Sequence, residues 1–263
     1  MLFRSGGLGT ACYGLTKGMS KIEDIQVIFV VPKAYGDEDQ ESVQLVGAGN
    51  IPLHITKIDF HSEYIKNLEY LEVGSNLVPY TSPEEYFRLI NEKKAGNYTF
   101  VETNKDGFVP FTGKYGANLY TEIYYYSLVA MQIAKMYDFD IIHAHDWLTY
   151  PAGIAAKKVT GKPLVVHVHT TDFDRSGGSV NPMVYKIEKE GLDFADKAIT
   201  VSNLTRDIVI NKYGQPWQKV TTVYNAVEPN HTVKRNERKG VEEKVVTLDR
   251  KSTRLNSSHR IRS

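Results

Sequence analysis

Cysteine is nearly absent from this sequence of 263 residues, because Cys12 is the only one. A single cysteine excludes an internal disulfide framework and a cysteine-based zinc site, and it suits a reducing compartment, so we expect a cytoplasmic protein. Neither sign of charge predominates, since 32 Lys and Arg residues stand against 31 Asp and Glu residues. No overall basic field therefore favours nucleic acid or an anionic membrane surface as the main partner.

Long hydrophobic runs are also missing. The longest run, around residues 25–31, has the length of a strand, and residues 1–9 lack the apolar core of a signal peptide. We therefore expect no membrane span. The composition, 41% hydrophobic and 24% charged, is that of a globular protein long enough for one large or two small cores.

The two ends of the chain differ from the sequence between them. Residues 249–263 contain five basic groups, one acid and no apolar periodicity. Back-translated, residues 249–259 resemble a common DNA-sequencing adapter, and residues 1–5 resemble the end of its other strand. We interpret residues 1–5 and 249–263 as foreign to the protein. A genuine basic tail that binds nucleic acid or lipid is the alternative.

The middle of the chain alternates between strand and helix patterns. After a long helix at residues 120–137, predicted strands at residues 140–144, 164–168, 197–201 and 219–223 alternate with helices at residues 151–159, 182–195 and 204–213. Such alternation with short connections predicts an α/β fold with a doubly wound parallel sheet, Rossmann-like in type. We assign residues 6–229 to this domain, and residues 230–248 to a linker and the start of a second domain.

The earlier part of the chain is less regular. Residues 25–31 form a continuous β-branched run, typical of a parallel strand buried on both faces. Weaker strand patterns lie at residues 51–60 and 70–79, and residues 81–116 read as an irregular insertion with a short helix at residues 83–92. At the start, Gly6-Gly7-Leu8-Gly9 opens a helix. Such a turn offers unpaired N–H groups to a phosphate or a sugar oxygen, or else it is only a tight turn between a strand and a helix.

Polar residues gather where three of the predicted strands end, which is where parallel α/β sheets bind ligands. These residues are His143, His145 and Asp146 after one strand, His167 and His169 at the next, and Ser202 and Asn203 after the third.

Two chemistries suit the first of these groups. His143 and His145 point the same way from a strand, but no third ligand with dedicated spacing is evident, so we do not expect a metal site. Asp146 beside Trp147 suits a polyhydroxylated ligand, because the carboxylate accepts from sugar hydroxyls and the indole covers an apolar sugar face. The alternative is that Asp146 caps the following helix.

The second group offers a neutral imidazole to a substrate. His169 follows a buried strand and can hydrogen-bond a substrate hydroxyl, whereas His167 either shares its face or packs within the sheet. A nucleophilic triad is unsupported, since Ser176 lacks the context of a nucleophile elbow and Cys12 lies within a predicted helix.

Five motifs occur in a characteristic order. They are Gly6-Gly7-Leu8-Gly9-Thr10, His143-Ala144-His145-Asp146-Trp147, the segment from Val168 to Ser176, the segment from Ala198 to Asn203, and Val223-Tyr224-Asn225-Ala226-Val227. Together they resemble the N-terminal half of a glycogen or starch synthase-like retaining glycosyltransferase of the GT-B type, with two Rossmann-like domains facing across a cleft. The resemblance covers residues 6–248.

The resemblance implies roles for particular residues. Asp146 and His169 would line the sugar site as catalytic residues, and Gly6 and Gly7 would approach the donor diphosphate. We extend substrate contact to four neighbours at the strand ends, namely His145, Trp147, Ser202 and Asn203.

The resemblance also implies the reaction and its partners. Glucose would pass from ADP-glucose or UDP-glucose to an α-1,4-glucan with retention, and no metal or other cofactor is needed. The nucleotide is held mainly by the C-terminal domain in this family, so we expect this chain alone to be inactive. The alternatives are a related transferase with another sugar acceptor, and a noncatalytic carbohydrate-binding module.

Overall fold

The computed structural model describes residues 6–36, 43–53, 104–113 and 119–226. Strands and helices alternate along the second half of the chain. In chain order the elements are α1 (Gly6–Met19), β1 (Ile28–Val31), β2 (Gln44–Gly47), α2 (Leu119–Met136), β3 (Ile142–His145), α3 (Tyr150–Thr160), β4 (Leu164–Val168), α4 (Asp172–Ser176), α5 (Pro182–Phe194), β5 (Lys197–Thr200), α6 (Asn203–Tyr213) and β6 (Val220–Thr222).

The described strands form two parallel sheets. The larger sheet has the order β3-β4-β5-β6, and the smaller one pairs β1 with β2. In the larger sheet the register places His145 opposite His167, and Val168 opposite Thr200. The predicted α/β fold with a parallel Rossmann-like sheet is confirmed, because consecutive strands lie side by side and point the same way.

Alternation along the strands gives the large sheet two different faces. Ala144 on β3 and Leu164, Val166 and Val168 on β4 are buried in the main core, which also contains Val184 of α5. Successive side chains of a strand point to opposite faces. The histidines of β3 and β4 alternate with these core residues, so they occupy the other face.

A second core joins the small sheet to α2. Val46 of β2 packs with Tyr125, Tyr126 and Val129 of α2, and the Tyr126 hydroxyl donates to the Val30 carbonyl at 3.0 Å. These tyrosines are therefore packing residues of the long helix. Since α2 also packs along α3, it links the two sheets.

The structure corrects several details of the sequence-based prediction. The strand predicted at residues 25–31 begins only at Ile28, and β2 has no counterpart in the prediction. Residues 51–53, the described start of the strand predicted at 51–60, form no strand, although Pro52 makes an isolated bridge with Phe108. The strand at residues 70–79 and the helix at residues 83–92 lie outside the described residues, as do the segments 1–5, 230–248 and 249–263.

No helix in the described part of the chain is both long and apolar enough to cross a membrane.

Close packing of α5 against α3 generates a prediction about Gly191. A Cβ atom at this position would lie 2.7 Å from the Cβ of Tyr150, which is almost fully buried. We expect Gly191→Ala to lower the free energy of unfolding by about 1–3 kcal/mol, because neither helix can move without disturbing the core. Urea denaturation measures the change.

The matched control is Gly18→Ala in α1, where an added Cβ would meet nothing within 4 Å. This variant should be neutral or stabilising by up to about 1 kcal/mol, because alanine is the better helix former. Equal stabilities of the two variants would contradict the packing argument.

Candidate functional site

Four histidines form a stack on one face of the large sheet. His143 and His145 lie on β3, and His167 and His169 lie on and just after β4. Ring centroids are 4.4 Å apart between His143 and His145, 4.3 Å between His167 and His169, and 5.0 Å between His145 and His167. The structure therefore settles the position of His167, which shares the face of His169. We call these four residues the histidine stack.

Burial keeps the histidine stack uncharged near neutral pH. It lowers the pKa of His167 to about 3 and that of His169 to about 4, and neighbouring histidines add to both shifts by repulsion. Burial also lowers the pKa of His143, and burial with three histidine neighbours holds that of His145 well below its usual range. Neutral imidazoles at such spacing can exchange hydrogen bonds with hydroxyl groups, because each ring has one donor and one acceptor.

Asp146 connects the ends of β3 and β4. Its Oδ1 accepts from the backbone N–H of His169 at 2.7 Å, and its own N–H donates to the His167 carbonyl at 2.9 Å. Burial raises the pKa of this carboxyl to about 6, although the His169 hydrogen bond and the Arg175 charge act in the opposite direction. A buried carboxylate thus fixes the backbone at the base of the His169 side chain.

The backbone of Asp146 is left-handed, with φ of 58°. Among non-glycine residues, Asp and Asn adopt this conformation most readily, and it costs roughly 1–3 kcal/mol. The turn reverses the chain after β3, so that the side chain reaches the end of β4. The proposed capping role of Asp146 is wrong, because α3 begins after Thr149, whose Oγ1 donates to the His145 carbonyl at 2.9 Å.

A buried ion pair supports the segment after His169. The Arg175 guanidinium contacts the Glu188 carboxylate of α5 at 2.5 Å and donates to the Thr170 carbonyl at 3.1 Å. Glu188 also accepts from the backbone N–H of Asp172 at 3.0 Å and from the Tyr213 hydroxyl. Burial raises the pKa of Glu188 to about 7 against the effect of Arg175. This network attaches the start of α4 to α5 and α6.

Helix α1 packs against the histidine stack. The Cys12 Sγ lies 3.6 Å from the His145 Nδ1, which in turn lies 3.1 Å from the His169 Nε2. The helix begins at Gly6, so Gly6 and Gly7 form its first turn. The first N–H groups of a helix have no partner within it. Gly7 precedes Cys12 by five residues, which correspond to about 7.5 Å along the helix axis.

The other residues predicted at the site divide into two kinds. Ser202 and Asn203 follow the carboxyl end of β5, next to the carboxyl ends of β3 and β4. The Ser202 Oγ caps α6 by accepting from the Thr205 N–H at 3.0 Å. Trp147 is only 5% exposed and packs against Tyr120 in the core, with ring centroids 6.0 Å apart. The sugar-stacking surface predicted for Trp147 is therefore wrong, because its indole packs within the main core.

Sequence reasoning missed two features of this site. It found no third ligand for His143 and His145, yet donor atoms of His143, His145 and His167 lie within 4.8 Å of one another, and so do those of Cys12, His145 and His169. The alternation of the β4 sequence contained part of this signal, because His167 and His169 are two residues apart. The approach of Cys12 from α1 had no signal in the sequence.

The fold is that of a glycosyltransferase domain, and a match to a known family supports this class. Residues 96–231 match the family described as Glycosyltransferase Family 4. The match covers just over half of the chain, which therefore belongs to this family. The Rossmann-like sheet is consistent with a domain of the GT-B type.

Curated relatives are similar over about a third of this chain. An uncharacterised glycosyltransferase of Methanocaldococcus jannaschii is 31% identical over 98 residues, which are 35% of this chain and 24% of that protein. A glycogen synthase of Mycobacterium tuberculosis is 27% identical over 93 residues, 34% of this chain and 22% of that enzyme. D-inositol 3-phosphate glycosyltransferase 1 of Catenulispora acidiphila is 28% identical over 97 residues, 35% and 23% respectively. The matched part spans about a quarter of the length of these relatives.

The burial of His167 predicts an acid-sensitive fold. Its pKa of about 3 in the folded state lies below the unfolded value of about 6.5, so the unfolded state binds more protons between these values and stability falls as the pH is lowered. We compare the free energy of unfolding of the His167→Phe variant with that of the unsubstituted protein. The difference should favour the variant at pH 5 by about 1–2 kcal/mol more than it does at pH 8. Urea denaturation at both pH values measures this difference.

His167→Leu serves as the control for packing. Leucine differs in shape from phenylalanine, so the two variants differ in stability at either pH. Both substitutions remove the same titrating group. Both variants should therefore show the same change between pH 5 and pH 8. If both variants lose as much stability between pH 8 and pH 5 as the unsubstituted protein does, the assignment of a neutral buried imidazole is contradicted.

The buried ion pair predicts a large effect of Arg175→Met. This substitution leaves the Glu188 carboxylate buried without its cation, which costs about 3–5 kcal/mol. The loss should be smaller at pH 6 than at pH 8, because Glu188, whose pKa then rises further above 7, takes up a proton in the folded state as the pH falls. Urea denaturation at both values measures it.

Lys189→Met on the same helix α5 is the matched control, since Lys189 pairs with Asp193 at 2.5 Å on the surface. An exposed pair contributes little, so we expect a change within about 0.5 kcal/mol. A comparable loss of stability in both variants would contradict the argument that burial makes the Arg175–Glu188 pair costly to break.

Proposed function

We propose that this protein transfers glucose from ADP-glucose or UDP-glucose to the non-reducing end of an α-1,4-glucan with retention of configuration, and that this chain supplies the sugar-binding side of the site. The observation that carries the proposal is the hydrogen bond from the His169 N–H to the Asp146 carboxylate at 2.7 Å. It fixes a neutral imidazole at the carboxyl end of β4, where ligands of parallel sheets bind.

The chemistry of the histidine stack supports a polyhydroxylated substrate. His145 and His169 are both partly exposed, and both are neutral near pH 7. Their ring nitrogens exchange hydrogen bonds with hydroxyl groups without the desolvation cost of a charged group. The Asp146 carboxylate lies behind them as a buried negative charge. Because Asp146 acts on the substrate through the His169 backbone, we assign it a positioning role and keep the substrate contact for His169.

The reaction breaks the bond between the anomeric carbon of glucose and the donor diphosphate, and forms a bond from that carbon to an acceptor hydroxyl. The acceptor proton leaves with the diphosphate. Negative charge therefore develops on the diphosphate, and N–H donors aimed at it stabilise the transition state. The N–H groups at the start of α1, including those of Gly6 and Gly7, have no partner within the helix and are suited to this task. We assign no step to a metal ion.

The sugar acceptor has two candidates. A glucan is supported by the order of the five motifs and by the similarity to a glycogen synthase. The similarity to an inositol phosphate glycosyltransferase favours a second candidate, a transferase acting on another polyhydroxylated acceptor. Transfer assays with glycogen and with inositol phosphate as acceptors separate the two.

We expect Asp146→Ala and His169→Ala to lower kcat/KM by on the order of 10² or more in a transferase that contains this chain. Asparagine keeps an oxygen for the His169 N–H and tolerates the left-handed backbone, so Asp146→Asn removes the charge alone. Transfer of labelled glucose to glycogen measures the rate, and circular dichroism checks the fold.

Asp196→Asn is the matched control. Asp196 also accepts a hydrogen bond from a backbone N–H of β4, but at the amino end of the strand. Its Oδ2 accepts at 2.6 Å from the N–H of Leu164, the first residue of β4. We expect its kcat/KM to stay within about twofold of that of the unsubstituted protein. Near-normal turnover of a folded Asp146→Asn variant would show that the charge of this carboxylate has no part in the reaction.

A further inference from the structure

We propose that Cys12, His145 and His169 form a binding site for a borderline-soft divalent cation such as Zn²⁺, and that the bound cation inhibits sugar transfer by occupying the two histidines. The second half of this inference rests on the proposed function. The first half stands on the geometry of three side chains from α1, β3 and the end of β4.

The distances between the donor atoms fit tetrahedral zinc. Zn–S bonds of about 2.3 Å and Zn–N bonds of about 2.0–2.1 Å at tetrahedral angles separate a sulfur from a nitrogen by about 3.5 Å and two nitrogens by about 3.3 Å. The Cys12 Sγ is 3.6 Å from the His145 Nδ1, and the His145 Nδ1 is 3.1 Å from the His169 Nε2. One donor atom of each residue lies within 4.8 Å of the others.

Hydrogen bonds alone leave this arrangement unbalanced. A nitrogen of a neutral imidazole carries either one hydrogen or one in-plane lone pair, so it can serve one neighbour well. The His145 Nδ1 has two close neighbours, the Cys12 thiol and the His169 Nε2. A cation among the three atoms would instead accept one lone pair from each.

The surroundings add unpartnered donors and a compensating charge. Only 6% of the surface of His167 is exposed, and neither of its ring nitrogens has a hydrogen-bond partner within the described residues. Its ring is stacked 4.3 Å from that of His169. Burial raises the pKa of the Cys12 thiol to about 12, and the negative charge of the Asp146 carboxylate adds to this shift. The same negative charge favours a cation at this position.

The donor set selects the kind of metal. One sulfur and two imidazole nitrogens match the preference of Zn²⁺, whereas Mg²⁺ and Ca²⁺ require oxygen ligands. A single cysteine cannot build a cysteine-only site, but here two histidines supply the other donors. Binding displaces the thiol proton of Cys12 to solvent, and the cation then holds a thiolate, two neutral imidazoles and one open position.

Occupancy of this site opposes the sugar-binding role of the same histidines. A cation at the His169 Nε2 and the His145 Nδ1 takes lone pairs that exchange hydrogen bonds in the metal-free protein. It also places positive charge beside the reacting sugar. Zn²⁺ should therefore act as an inhibitor of transfer and not as a cofactor.

The test uses Co²⁺ as a spectroscopic probe on the whole 263-residue chain. We expect a thiolate-to-cobalt charge-transfer band in the near ultraviolet that Zn²⁺ abolishes by displacement. Cys12→Ser should remove this band and weaken Zn²⁺ binding at least tenfold in competition with a chromophoric chelator. His143→Gln, which removes a histidine of the stack but none of the three donors, should keep the band. Circular dichroism checks that each variant is folded.

Two results would overturn the cation site, namely a cobalt complex without a thiolate band and a folded Cys12→Ser variant that binds Zn²⁺ as tightly as the unsubstituted protein. The former includes binding at His143, His145 and His167 alone. Inhibition is measured on a transferase that contains this chain, as the ratio of transfer rates with and without Zn²⁺. A ratio near one with Zn²⁺ bound overturns the inhibition. Absence of transfer in the metal-free protein refutes the proposed function. The cobalt spectrum still tests whether Cys12, His145 and His169 bind a cation.

Discussion

The site depends on one hydrogen bond, the one that the Asp146 carboxylate accepts from the His169 N–H at 2.7 Å. This contact joins the ends of two neighbouring parallel strands beyond the last rung of their ladder. It requires a left-handed residue after β3, and Asp is among the few residue types that supply both the conformation and the acceptor. At this turn the chain leaves β3, and the Asp146 side chain and N–H both bind the backbone at the end of β4.

The Arg175–Glu188 pair holds the other side of the same segment. Buried ion pairs seldom add net stability compared with apolar residues of similar size, but removing one partner is costly. Here the pair also binds backbone groups, since Arg175 donates to the Thr170 carbonyl and Glu188 accepts from the Asp172 N–H. Its structural effect is to fix the chain directly after His169. The two ends of one short segment are thus held by two different buried carboxylates.

The sequence predicted the order and spacing of elements better than the local geometry of the site. Regular alternation located β3 to β6 to within two residues at each end, because buried parallel strands are continuous apolar runs. It could not reveal that Asp146 turns toward β4, since that depends on a backbone angle. Helix α4 has no counterpart among the predicted helices, although the Asp174 carboxylate accepting from the Thr171 N–H at 2.8 Å follows a recognisable capping pattern. Strand β2 was too short to stand out from its surroundings.

The electrostatic character of the site follows from crowding. Imidazoles whose ring centroids lie between 4.3 and 5.4 Å apart repel one another when protonated, and burial acts in the same direction. The histidine stack therefore presents neutral donors and acceptors, and the nearest buried negative charge is that of Asp146. Such a surface can hold sugar hydroxyls without attracting free anions. The same lack of charge leaves imidazole lone pairs accessible to a soft cation, so the features that suit a sugar also explain why a competing metal would bind there.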